Sequence, residues 1–170
     1  MTNPSHPYFE LDFSTREFLQ MAPIVDHDQL RTWQQRGIIV PKNYSTGGQR
    51  GKERRWGFTE VVYIMVFALL AKALPDLQEA KQWAPKITGE ILGLFVNGLD
   101  GDKCMAAPIY VFPCDGTDPE QLAEGMSKIS SLARYLAWRP SVLVAPGHMA
   151  IELHDEVQMI LDRRAAAGTA

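Results

Sequence analysis

Two capping boxes follow one another closely near the start of this chain, with a proline between them. Ser14 with Glu17, and Asp26 with Gln29, each set a short polar acceptor three residues ahead of a side chain able to reach back, the pattern that opens a helix. Pro23 ends the first helix after about Met21, and Gly37 stands where the second should stop. Two helices this short are marginal alone and must be packed. The spacing therefore predicts a helix, a tight turn over 22–25 and a second helix over 26–36, which is a helix-turn-helix. The first helix should bury Phe18, with Leu19 or Met21 beside it, and residues 1–12 read as a loose arm.

The second helix lies within residues 26–41 (DHDQLRTWQQRGIIVP). Leu30 and Trp33 share one face, three residues apart. His27, Asp28, Arg31, Thr32 and Gln35 fall mostly on other faces, and nearly every outward side chain there donates or accepts a hydrogen bond. A helix lying in the major groove of DNA needs that pattern; an ordinary solvated amphipathic helix also has it. Trp33 suits a core position. Arg36 suits either a phosphate contact or the negative end of a helix dipole. Asp28 either accepts from a cytosine amine or points away from DNA, since phosphate repels it.

Ile38, Ile39 and Val40 form a β-branched run suited to a strand, residues 43–51 are rich in Gly, Ser and Thr, and 53–58 can return as a second strand. Five basic residues (Lys42, Arg50, Lys52, Arg54, Arg55) lie in this hairpin against one acid, Glu53, beside glycines that allow close backbone approach. The hairpin reads as a basic wing. Net charge points the same way. The chain carries −3, but nine Lys or Arg against seven Asp or Glu stand through Lys72, and eight against thirteen beyond it. A local basic patch on an acidic chain fits docking on phosphate in one orientation. The next helix is read as capped by Thr59-Glu60 and running to about Leu74. It is apolar nearly all round, so it is either buried or an interface.

Residues 13–74 resemble the DNA-binding domain of the MerR family of bacterial regulators. The resemblance rests on Leu30-Arg31, the aromatic Trp33, Arg36-Gly37-Ile38-Ile39, Pro41, Arg54-Arg55-Trp56 and Thr59-Glu60-Val61. It implies a winged helix-turn-helix whose second helix enters the major groove and whose wing follows the backbone. Arg31 and the Trp33 ring would sit near phosphates, and Arg55 would be the wing arginine. Trp33 stands where the family usually has tyrosine, and the wing loop is long. The expected DNA-binding set is Arg16, His27, Asp28, Arg31, Thr32, Trp33, Gln35, Arg36, Arg50, Lys52, Arg54 and Arg55.

Residues 75–170 leave the family pattern. Pro75 and Pro85 interrupt the chain, and a helix is expected over 86–97, ending in a loop at Asn97-Gly98 and Asp100-Gly101. A strand follows over 107–112, then a helix over 119–137 with Met126, Ile129, Ala133 and Leu136 as its stripe. A strand over 141–145 and a last helix over 149–164, burying Leu153, Val157, Ile160 and Leu161, complete the half. This helix-strand-helix-strand-helix order favours a parallel pair with a right-handed crossover. Two strands make a thin sheet, and pairing with a second copy would cover it. The expected fold is α+β: a DNA-binding domain over 13–74 and a dimerisation or effector domain over 75–170.

Other functions are poorly served. There is no Gly-rich phosphate loop, GxSxG, HExxH or paired-cysteine motif, so no enzyme, metal site or cofactor is expected. The DGD at 100–102 lacks the downstream glutamate of a calcium loop. His148 near Asp155 and Glu156 is read as a surface histidine, and Trp83, Phe95, Tyr110 and Trp138 as core before ligand pocket. No apolar run approaches the roughly 18 residues of a membrane span, and no secretion signal is visible. Cys104 and Cys114 are then reduced thiols of a cytoplasmic, nucleoid-associated bacterial protein. The expected partners are double-stranded DNA, a second copy of the chain and, for a regulator, RNA polymerase. The alternatives are a phage-type architectural factor (an excisionase or small packaging subunit) and a sensor whose winged domain does not bind DNA.

Overall fold

The computed structural model describes residues 7–39, 55–113, 120–122 and 141–168. Helices dominate these residues, and two small sheets complete an α+β chain. Strand β1 (Asp12–Ser14) leads into α1 (Thr15–Met21), and α2 (His27–Gln35) follows after the turn. Both capping boxes form. Ser14 Oγ accepts from Glu17 N at 3.2 Å and Glu17 Oε2 accepts from Ser14 N at 2.8 Å. Asp26 Oδ1 accepts from Gln29 N at 2.6 Å and Gln29 Oε1 accepts from Asp26 N at 3.2 Å. Gly37, at φ 64°, ends α2 with two bonds: its own N–H to Gln34 O at 3.0 Å, and Ile38 N–H to Trp33 O at 2.9 Å. Only a residue tolerant of the left-handed region closes a helix this way.

The described part of the expected wing differs from a two-stranded hairpin. The return strand is β2 (Arg55–Gly57), and it pairs antiparallel with β1, placing Ser14 opposite Arg55 and Phe13 opposite Trp56. Ile38 and Ile39 are not in a strand. The bond from Ile38 N–H back to Trp33 takes one ladder donor, and Ile39 turns into the core. Val40 and the wing tip lie outside the described residues. Nor is all of 1–12 a loose arm: Pro7–Glu10 forms a 3-10 turn, and Tyr8 packs on Phe58 and Phe95.

Helix α3 (Phe58–Ala73) starts at Phe58, ahead of the expected cap. Gly57 is the N-cap, and Glu60 Oε2 accepts from its N–H at 2.5 Å. The apolar helix is covered within its own chain by α4 (Leu77–Val96), whose Ala80, Ala84, Ile87 and Ile91 are buried. Helix α4 begins about two and a half turns earlier than the expected start at 86 and runs through Pro85. Proline inside a helix costs about 3 kcal/mol, and the buried seam on both sides of Pro85 offsets it. Asn97 and Gly98 end α4 as expected, with Leu99 N–H bonding Leu94 O at 3.0 Å.

A short helix α5 (Gly101–Ala106) follows, unexpected from sequence, with Asp100 as N-cap. Next come β3 (Ile109–Pro113), β4 (Glu120–Leu122), β5 (Ser141–Val144) and α6 (Pro146–Gly168). The sheet order is β4-β3-β5, and both pairings are antiparallel. The expected parallel pair is therefore wrong, and the expected second-half order also lacks α5 and β4. Strand β4 occupies the start of the helix expected over 119–137; residues 123–140, with Met126, Ile129, Ala133, Leu136 and Trp138, lie outside the described residues. A long connection permits either strand direction, so length alone did not decide it. Helix α6 starts three residues earlier than expected and buries Leu153, Val157 and Ile160, with Leu161 half-buried. One cluster of buried side chains runs from Phe13 through α3 and α4 to Ile160.

Candidate nucleic-acid interface

Helix α2 is fixed at three places. Its capping box holds the N-terminus, the Gly37 closure holds the C-terminus, and Leu30 and Trp33 are buried beneath it. Trp33 is only 8% exposed and meets Phe67 of α3 edge-on, 5.0 Å between ring centres. Packing is the role the structure gives this ring. His27, Asp28, Arg31, Gln35 and Arg36 are exposed, and Thr32 is half-buried.

The outward side of α2 is not uniform. Asp28 and Thr32 border a cleft of about 390 Å³ that Trp33, Ala68 and Lys72 also line. His27, Arg31 and Gln35 do not border it. The acid thus sits in the wall shared with α3, near a lysine, while the basic and amide side chains share the open side. Asp26 is engaged by Gln29 N–H, and Asp28 in the first turn favours the helix dipole.

Two further arginines are brought beside the helix pair. Trp56 of β2 is fully buried, stacks on Phe18 at 5.2 Å and donates its indole N–H to Thr15 Oγ1 at 3.2 Å. This pins Arg55, exposed and opposite Ser14, near the first turn of α1, where Arg16 is also exposed. Arg50, Lys52 and Arg54 lie outside the described residues.

The guanidiniums divide into two groups. Arg16, Arg31, Arg36 and Arg55 have no side-chain hydrogen bond or ion pair among the described residues. On α6, by contrast, Arg163 donates to Gln20 Oε1 at 3.0 Å. Arg164 donates Nε to Glu17 Oε1 and Nη2 to Glu17 Oε2, both at 2.8 Å, and Nη2 also reaches Asp12 O at 2.7 Å. The Arg164 guanidinium holds the Glu17 carboxyl down to about 2, with help from the Ser14 backbone and hydroxyl. The acid of α1 is thereby neutralised locally, and the basic side chains around the helix pair have no such partner among the described residues. Nothing in the spacing of Glu17 and Arg164 could have revealed this pair.

The other candidate residues take structural places. Asp100 Oδ1 accepts from Asp102 N at 3.0 Å as a helix cap. His148 pairs with Glu152 at 3.0 Å on an exposed surface. Phe95 and Tyr110 are buried, and Trp83 meets Tyr110 and Phe112 edge-on. Burial, with Asp100 nearby, pushes the Cys104 thiol up. Among the described residues no group of His, Cys, Asp or Glu could hold a metal ion, and no helix is long and apolar enough to cross a membrane. No protein-family model matches the chain, and comparison with curated proteins gives no match.

Proposed function

We propose that this chain is a sequence-specific DNA-binding transcription regulator of the MerR-like, winged helix-turn-helix kind. Residues 13–74 form its DNA-binding unit, and 75–170 buttress that unit and carry dimer or effector contacts. The reading is supported above all by four guanidiniums, Arg16, Arg31, Arg36 and Arg55, that stand on α1, at α2 and on β2 and have no side-chain hydrogen bond or ion pair among the described residues. In this reading they meet phosphate, which fixes register and orientation, while the open side of α2 reads base edges. The wing over 42–56 follows the backbone, adding Arg50, Lys52 and Arg54.

The protein acts as a homodimer in the bacterial cytoplasm, with RNA polymerase as its second macromolecular partner. Site size supports the dimer. One such unit offers too few base contacts for a selective site, and two on a two-fold axis read an inverted repeat. Helix α4 covers α3, and the sheet has three strands among the described residues, so neither surface calls for a second copy.

The test is binding of the full chain to duplex DNA as a function of salt. Replacing Arg31 and Arg36 by alanine should weaken binding to all sequences and flatten the slope of log affinity against log salt by about one to two units. A chain that binds no duplex at low salt, or an unchanged slope in the variant, would refute the assignment.

A further inference from the structure

A second cavity, of about 390 Å³, opens between α3 and α4 beneath the residues that leave α2. Its walls include Ile38, Ile39, Tyr63, Ile64, Thr88 and Leu92. The volume lies in the range of small-molecule sites, which begins at about 300 Å³. Most of the wall is apolar, and the exceptions are informative.

Thr88 is only 5% exposed, and its hydroxyl has no hydrogen-bond partner among the described residues. A buried hydroxyl is costly to leave unmet, so this one calls for a partner. A helical threonine has two accessible rotamers, so the hydroxyl has freedom to turn toward an occupant. Tyr63 adds a phenol that burial pushes up, keeping it a neutral donor. The carboxylate among the lining residues, Glu60, already accepts from Gly57 N–H, and its charge disfavours an anionic occupant.

We propose that this cavity binds a small, uncharged, mostly apolar molecule whose single hydrogen-bonding group engages the Thr88 hydroxyl. The site is independent of the DNA reading. Its position has a consequence all the same: Ile38 and Ile39 continue directly from Gly37, so an occupant presses on the segment that leaves α2.

Gly89 provides the decisive variant. It lines the same cavity, and a Cβ built on it meets nothing within 4 Å. Gly89→Leu therefore projects a side chain into the open space, and replacing a helical glycine favours the helix. Thr88→Val removes the hydroxyl, keeps the shape and breaks no described hydrogen bond. The probe is 2-naphthol, titrated by calorimetry into the full chain, with circular dichroism and melting to check each variant's fold. One molecule should bind per chain, with Kd of about 1 mM or tighter, as suits a ligand of that size. Gly89→Leu should weaken binding at least about tenfold, and Thr88→Val by about three- to tenfold, a typical range for one lost hydrogen bond. Absence of saturable binding overturns the proposal, as does equal binding by folded Gly89→Leu. Equal binding by Thr88→Val overturns the chemistry assigned to the site.

Discussion

The contact between Arg164 and Glu17 should hold the last helix to the first, and a double-mutant cycle can measure it. The perturbations are Arg164→Ala, Glu17→Gln and both together. Glutamine still completes the capping box, so Glu17→Gln removes charge while sparing the cap. The Glu17 carboxyl is lowered from 4.5 to about 2, a shift worth at most about 3 kcal/mol. Part of it belongs to Ser14, and the carboxylate and guanidinium side chains are 23% and 35% exposed, so solvent screens them. The share attributable to Arg164 is then about 1–2 kcal/mol. Because the folded carboxyl sits below its unfolded value, the stabilisation is complete well above pH 4.5 and is lost as the pH falls toward 2. More than half should disappear between about pH 5 and pH 3, on linkage alone. Urea unfolding of the four proteins across that range reads the coupling directly. A coupling below about 0.3 kcal/mol at neutral pH, less than an ordinary exposed pair, would refute the clamp. So would a coupling that does not change with pH.

Other outcomes follow from the same geometry. Gly147→Ala should lower stability by about 1–3 kcal/mol or more, an overpacking cost, because its Cβ would lie 1.8 Å from the Cys104 carbonyl oxygen; an unchanged melting temperature would contradict the close approach of α5 and α6. Gly37→Ala should cost about 1–2 kcal/mol, the strain of a side chain in the left-handed region, and Gly37→Asn should cost less; equal melting of the two would argue against the φ of 64°. Substitutions at His27 or Gln35 should change the preferred bases by about 1–3 kcal/mol per lost bidentate contact. Selection of binding sites from random duplexes checks this, and an identical consensus would move base reading off α2.

Local signals in the sequence carried far. Ser14 and Glu17, Asp26 and Gln29, Gly37, and Asn97 with Gly98 act within a few residues of themselves, so their capping roles are readable without a tertiary structure. The burial of Leu30, Trp33, Leu153, Val157 and Ile160 followed from helical spacing for the same reason. What failed depended on distant partners. Pro85 reads as a break because its cost is local, whereas the compensation from Ala84, Ile87 and Ile91 comes from α3. Strand β1 is three residues long and shows no alternation of its own; Trp56 defines it from the far side of α2. The direction of β5 is set by its pairing with β3, a strand nearly thirty residues away, and no local signal carries it. In the candidate interface, the outward residues of α2 were legible from the wheel. The choice of Phe67 as the ring that Trp33 packs on, and the neutralisation of Glu17 by Arg164, were not.

The β1–β2 pair has one more consequence. It ties the chain at Asp12–Ser14 to Arg55–Gly57 and so encloses α1, α2 and everything between Ile39 and Arg55 in a closed loop. Phe13 on one strand and Trp56 on the other are fully buried, so the closure is held by packing as well as by the ladder. Opening it would free α1 and α2 together, and the amide protons of the two helices should exchange with solvent as one cooperative unit.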